Sequence, residues 1–140
     1  MPNDHFGTCS WTPESSFHSY TPYGPVELFG ESGQRAVELM LLSAAACLNF
    51  YLVEYASARS LPVTGLEVTC SGVVVQGPER VSKIETRVTI AGDLDERQTS
   101  KMVAICERAC KVMNTLKHTP ETQVHIHRVA ASGSNPPDTL

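Results

Sequence analysis

Cys47 and Cys110 are the residues with the most chemistry to offer. Cys47 lies in Ser43-Ala44-Ala45-Ala46-Cys47-Leu48 and Cys110 in Cys106-Glu107-Arg108-Ala109-Cys110-Lys111-Val112-Met113, both apolar stretches of helical character. Cysteine is among the most buried residue types even when inert. The pair is therefore either two core residues or a thiol couple that closes and reopens a disulfide. Cys106 and Cys110 stand four apart on one helix, with Cβ atoms about 6 Å apart, beyond the roughly 3.5–4.5 Å that a disulfide requires. Cys47 facing Cys106 or Cys110 across two packed helices meets no such obstacle. Cys9 and Cys70 are read as incidental, one in a loop and one in a strand.

The elements that must position these thiols can be read from periodicity. Apolar residues at Val37, Met40, Leu41, Ala44, Cys47, Leu48, Tyr51, Leu52 and Tyr55 recur at helical spacing from Gln34 to about Ser60. Leu39, Leu42, Ala45 and Phe50 widen the stripe until most of the circumference is apolar, which predicts a central helix covered on several sides. Leu66–Val75 and Lys83–Ala91, rich in Val, Ile and Thr, predict a β-hairpin turning at Gln76–Glu79. Asp95 with Gln98 three residues on is the signature of a capping box. It opens a second helix whose stripe (Met102, Val103, Cys106, Cys110, Met113, Leu116) runs unbroken to about His118. Gln123–Val129 alternates and predicts a final strand. Residues 4–30, rich in Pro, Ser, Thr and aromatics, predict loop or short edge strands, Val26–Phe29 among them. The order is that of a single α+β domain over residues 1–130, followed by a disordered tail at 131–140.

Composition excludes several classes. A net charge of −4 without a basic stripe argues against nucleic acid. The apolar run between Glu38 and Glu54 contains Ser43 and Asn49 and falls short of the ~20 residues of a membrane span. Met1-Pro2-Asn3-Asp4-His5 does not open as a signal peptide, so a cytoplasmic location with reduced thiols is expected. No C-x-x-C pair occurs. His125 and His127 share a strand face that His118 could join, but alternating histidines more often mark a polar edge. No cofactor and no metal is expected.

The segment Glu38-Leu39-Met40-Leu41-Leu42-Ser43-Ala44-Ala45-Ala46-Cys47 resembles the first-helix motif of the OsmC/Ohr family, the osmotically inducible and organic-hydroperoxide-resistance proteins. Val63-Thr64-Gly65-Leu66-Glu67-Val68 and Ile90-Ala91-Gly92-Asp93-Leu94 are similar to its hairpin strands. Ala109-Cys110-Lys111-Val112-Met113 sits where the family carries Cys-Pro-Val. The resemblance implies two long central helices backed by antiparallel sheets in an intertwined homodimer, with active sites at the subunit interface. It also implies a thiol peroxidase cycle and a role in the oxidative stress response. Cys47 would attack an organic hydroperoxide, Cys110 would resolve the sulfenic acid as a disulfide, and a dithiol reductant would reopen it. Met40, Leu48, Tyr51 and Met113 would form an apolar substrate pocket.

Three departures stand out. The family places an activating arginine in its N-terminal strands, and here no arginine precedes Arg35. Arg35 is twelve residues, about 18 Å of helix, before Cys47, so it would reach the thiol only from a second copy. The family's glutamate, ten before the cysteine, is Val37, with Glu38 its neighbour. The proline after the resolving cysteine is Lys111, which predicts a continuous helix. Arg35, Arg80 and Arg87 are the candidate cations, and Glu38 is the candidate acid. The alternative to a peroxidase is a non-catalytic relative that binds a small apolar or thiol-bearing ligand at the dimer cleft.

Overall fold

A computed structural model describes residues 5–131. The chain is α+β. Strands β1 (Thr8–Thr12), β2 (Ser16–Thr21) and β3 (Gly24–Pro25) form an antiparallel meander in that order. A long helix α1 (Ala36–Ala58) follows. Then comes a hairpin of β4 (Val63–Val75) and β5 (Arg80–Gly92), and helices α2 (Glu96–Ala109) and α3 (Lys111–Lys117) close the order.

The N-terminal residues thus pair into short strands, but Val26–Phe29 does not become one of them. Leu28 makes a single parallel bridge to Gln34, closing a tight loop in which Phe29 N–H donates to the Gln34 carbonyl at 2.9 Å. Gly33 is required inside that loop, because a Cβ there would collide with the Phe29 backbone.

Helix α1 buries one i, i+4 row, Ala44, Leu48, Leu52 and Ala56, against Met102, Cys106, Cys110 and Met113. Leu66, Val68, Val88 and Ile90 of the hairpin's inner face close the core, with Val68 opposite Val88 and Leu66 opposite Ile90. Leu52 is fully buried at the centre. Leu52→Ala is expected to cost about 3 kcal/mol of unfolding free energy in urea titration, and a loss below about 1 kcal/mol would show that the row does not organise the core. The rest of the helix departs from the all-round burial that its composition implies. Leu42 is 59% exposed, Phe50 64% and Val53 49%. By length and hydropathy α1 is also apolar enough to cross a membrane, but it packs along the hairpin and both later helices.

Two expectations from periodicity are corrected. Residues 123–129 form no strand: they run without regular structure, with Val124 89% and Ile126 68% exposed. The helix opened by Asp95 is not continuous to His118. It begins as expected, with Asp95 accepting from Gln98 N–H at 2.7 Å while the Gln98 side chain accepts from Asp95 N–H at 3.0 Å. It breaks at Cys110, whose φ −65° and ψ 113° are extended, and restarts as α3. The tail beyond Ala131 lies outside the described residues.

Candidate active site

The break aims a side chain. Cys110 N–H still bonds back to the Cys106 carbonyl at 2.9 Å, so the last turn of α2 is intact. Past Cys110 the chain turns, and Asn114 N–H opens α3 by donating to the Cys110 carbonyl at 2.9 Å. Cys110 is thereby the residue before a new helix, fully buried, with its thiol in hydrogen-bond contact with Cys47. Cys47 arrives from α1 half-buried, one residue before the core Leu48. Both thiols are free.

The electrostatics of the pair are asymmetric. Burial pushes the Cys110 thiol above its usual range. The Met113 and Val112 amides pull the other way, while the hydrogen bond with Cys47 and its charge add to the rise. Cys110 is thus held toward its protonated form, with the Cys47 sulfur as its neighbour. Cys106, one turn earlier, is spoken for: its thiol donates to the Tyr51 carbonyl at 3.4 Å, and burial raises its pKa against a smaller opposing pull from Arg59. Cys9 is exposed, and Cys70 contacts Thr86 Oγ1 at 3.5 Å on the hairpin.

Arg35 and Glu38 are placed elsewhere. Arg35 is the residue before α1 and Glu38 lies in its first turn, both exposed. Among the described residues the ion pairs are Lys83–Glu85 and Lys117–Glu107, and neither involves them. Lys111 is exposed beside the break. Among the same residues no three His, Cys, Asp or Glu side chains converge to hold a metal.

A cavity of about 810 Å³ opens between β5, α1, α2 and α3. Met40, Leu48 and Met113 line it, together with Val81, Ile84 and Leu116, while Arg80, Lys83 and the Lys117–Glu107 ion pair supply its charge. Three of the four residues expected in an apolar pocket are there. Tyr51 is not; its carbonyl serves Cys106 instead. Neither Cys47 nor Cys110 lines the cavity; Leu48, next to Cys47 in the chain, and Met113, three residues after Cys110, do. Of the candidate cations Arg80 lines the cavity, whereas Arg87 lies with Glu67, Thr69 and Ser71 on the hairpin's other face. Asn114 is the residue that sequence reading missed. Its signal was an asparagine inside an apparent helix, where its side chain competes for backbone groups.

The fold is α+β, with one half-buried thiol on a long helix backed by an antiparallel hairpin and one buried thiol at a helix break. The chain is a member of the OsmC-like protein family, whose sequence profile matches residues 29–125. No curated protein matches it. Among solved structures, it is similar to an OsmC-like protein from Mycoplasma pneumoniae, with a TM-score of 0.73 and 16% identity over 85% of this chain and 91% of that one. An organic hydroperoxide resistance protein OsmC from Legionella pneumophila gives 0.63 at 16% identity over 84% and 92%. The organic hydroperoxide resistance protein OhrB of Bacillus subtilis gives 0.58 at 15% over 82% and 91%. At these identities the likeness speaks for the fold.

Proposed function

We propose that the protein is a thiol peroxidase that reduces organic hydroperoxides. The observation that carries this reading is the interaction of the Cys47 and Cys110 thiols, whose chain neighbours Leu48 and Met113 line an apolar cavity. In the cycle, the Cys47 thiolate attacks the distal oxygen of ROOH, breaking the O–O bond and releasing ROH after protonation. Cys47 is left as a sulfenic acid. The Cys110 sulfur then attacks the Cys47 sulfur, and its proton leaves with the hydroxyl as water. A dithiol reductant takes the oxidising equivalents from the resulting disulfide. Membership of a family whose named relatives include hydroperoxide resistance proteins supports the substrate class. Arg80 on the cavity wall is the intrachain candidate for favouring the anionic form of the reacting groups.

The working unit in this reading is a homodimer in the cytoplasm. The accessible surface of the chain is 11042 Å², against about 7100 Å² for a compact monomer of this mass. Two features want cover: the apolar face of α1 and the exposed aromatics Trp11 and Phe17 of the N-terminal sheet. A second copy can meet both.

The test is non-reducing peptide mass spectrometry after one equivalent of an alkyl hydroperoxide. A Cys47–Cys110 disulfide formed within seconds to minutes is expected. Thiols that stay unmodified would overturn the peroxidase reading. They would favour instead a non-catalytic relative binding a small apolar or thiol-bearing ligand, the reading to which the lack of any arginine before Arg35 points.

A further inference from the structure

We infer that Asn114 is the positioning residue that holds the helix break at Cys110 and so keeps the Cys110 thiol facing Cys47. The inference rests on the redox role proposed for that pair.

In an unbroken helix the Arg108 carbonyl takes the Val112 N–H and the Ala109 carbonyl takes the Met113 N–H. Breaking the helix orphans such carbonyls, and a buried or half-buried helix end is stable only when something else satisfies them. Here the Asn114 side chain does so, with Nδ2 donating to the Arg108 carbonyl at 2.9 Å. The amides of Met113 and Val112 lie near enough to the Cys110 thiol to pull its pKa down. Asn114 also begins α3 through its backbone N–H to the Cys110 carbonyl. One residue thus ties both sides of the break, its side chain to α2 and its backbone to the residue that must point inward.

The same shape is obtained elsewhere by proline, which imposes extended backbone on the residue before it and has no N–H to lose at the first position of a helix. This chain has Lys111 at that place. The extended ψ of 113° at Cys110 is what a following proline would demand, and it is reached without one. Nothing else in the local sequence stops α2: the apolar stripe keeps helical spacing through the break, and Lys111 and Val112 are unexceptional helix residues. The asparagine amide is the local group that favours the broken form over the continuous one.

Equilibration with mixtures of oxidised and reduced dithiothreitol, without hydroperoxide, tests this. The fraction of Cys47–Cys110 disulfide is read by mass spectrometry after acid quenching. Asn114→Ala is expected to lower the disulfide equilibrium constant roughly fivefold, the worth of one such hydrogen bond. Asn114→Asp keeps the shape and loses the donor, so it should fall at least as far, and it carries the test if the alanine variant does not fold. Lys111→Pro added to either variant should restore the wild-type constant by imposing the break independently. A role in stability alone would lower the thermal midpoint and leave the constant unmoved. Wild-type constants in both Asn114 variants, or a loss that Lys111→Pro does not rescue, would overturn the inference. A wild-type protein that forms no Cys47–Cys110 disulfide in any mixture would overturn the redox reading itself.

Discussion

Cys47→Ser will lower hydroperoxide consumption by at least about 10³-fold, because a hydroxyl in place of the thiolate removes the only group that enters the O–O bond. Cys110→Ser behaves differently. Its Cys47 still reacts once with hydroperoxide, but the sulfenic acid then has no neighbour to condense with and accumulates. Trapping with a carbon nucleophile such as dimedone should label Cys47 in Cys110→Ser and leave wild type unlabelled. The contrast follows from the geometry: Cys47 is half-buried and Cys110 fully buried behind it, so oxidant meets them in that order. Cys106 is not a substitute resolver, since it is committed to the Tyr51 carbonyl. Full activity in Cys47→Ser would end the assignment. Efficient disulfide formation in Cys110→Ser would move the resolving role to Cys106.

The second large effect concerns assembly. Wild-type protein is expected to show a light-scattering mass of twice 15.2 kDa at micromolar concentration. Phe50, 64% exposed at the middle of the uncovered face of α1, is the residue to change. Phe50→Asp would bury an unpaired carboxylate in an apolar interface, which costs several kcal/mol per copy and weakens association by more than about 100-fold. The variant should run at 15.2 kDa with its helical circular dichroism retained, because Phe50 is not among the core residues. Phe50→Leu should remain dimeric. A wild type that stays at 15.2 kDa would remove the homodimer and leave the exposed face for some other partner.

Much of the architecture was legible because it is decided locally. The i, i+4 row of α1, the alternation in β4 and β5 and both halves of the Asp95–Gln98 box are properties of short windows, and the structure contains all of them. The candidate thiols were legible as a pair of chemically capable residues, though not as a contact. What escaped was decided at a distance. The stripe Cys106, Cys110, Met113 has helical spacing whether or not the helix continues, so periodicity cannot see the break that an asparagine side chain settles. Gln123–Val129 has the pattern of a strand, but a strand is made by its neighbour as much as by its sequence. Burial of α1 was overestimated within one chain for the same reason: composition reports that a face needs covering and not what covers it.

The N-terminal meander has a consequence for how the protein can be observed. Its three strands pair with one another, and they leave aromatic side chains wet. Trp11, at 58% exposed, is the single tryptophan in the sequence. Its fluorescence therefore reports on that sheet alone, and a blue shift on raising the protein concentration would mark the moment a second surface dries it.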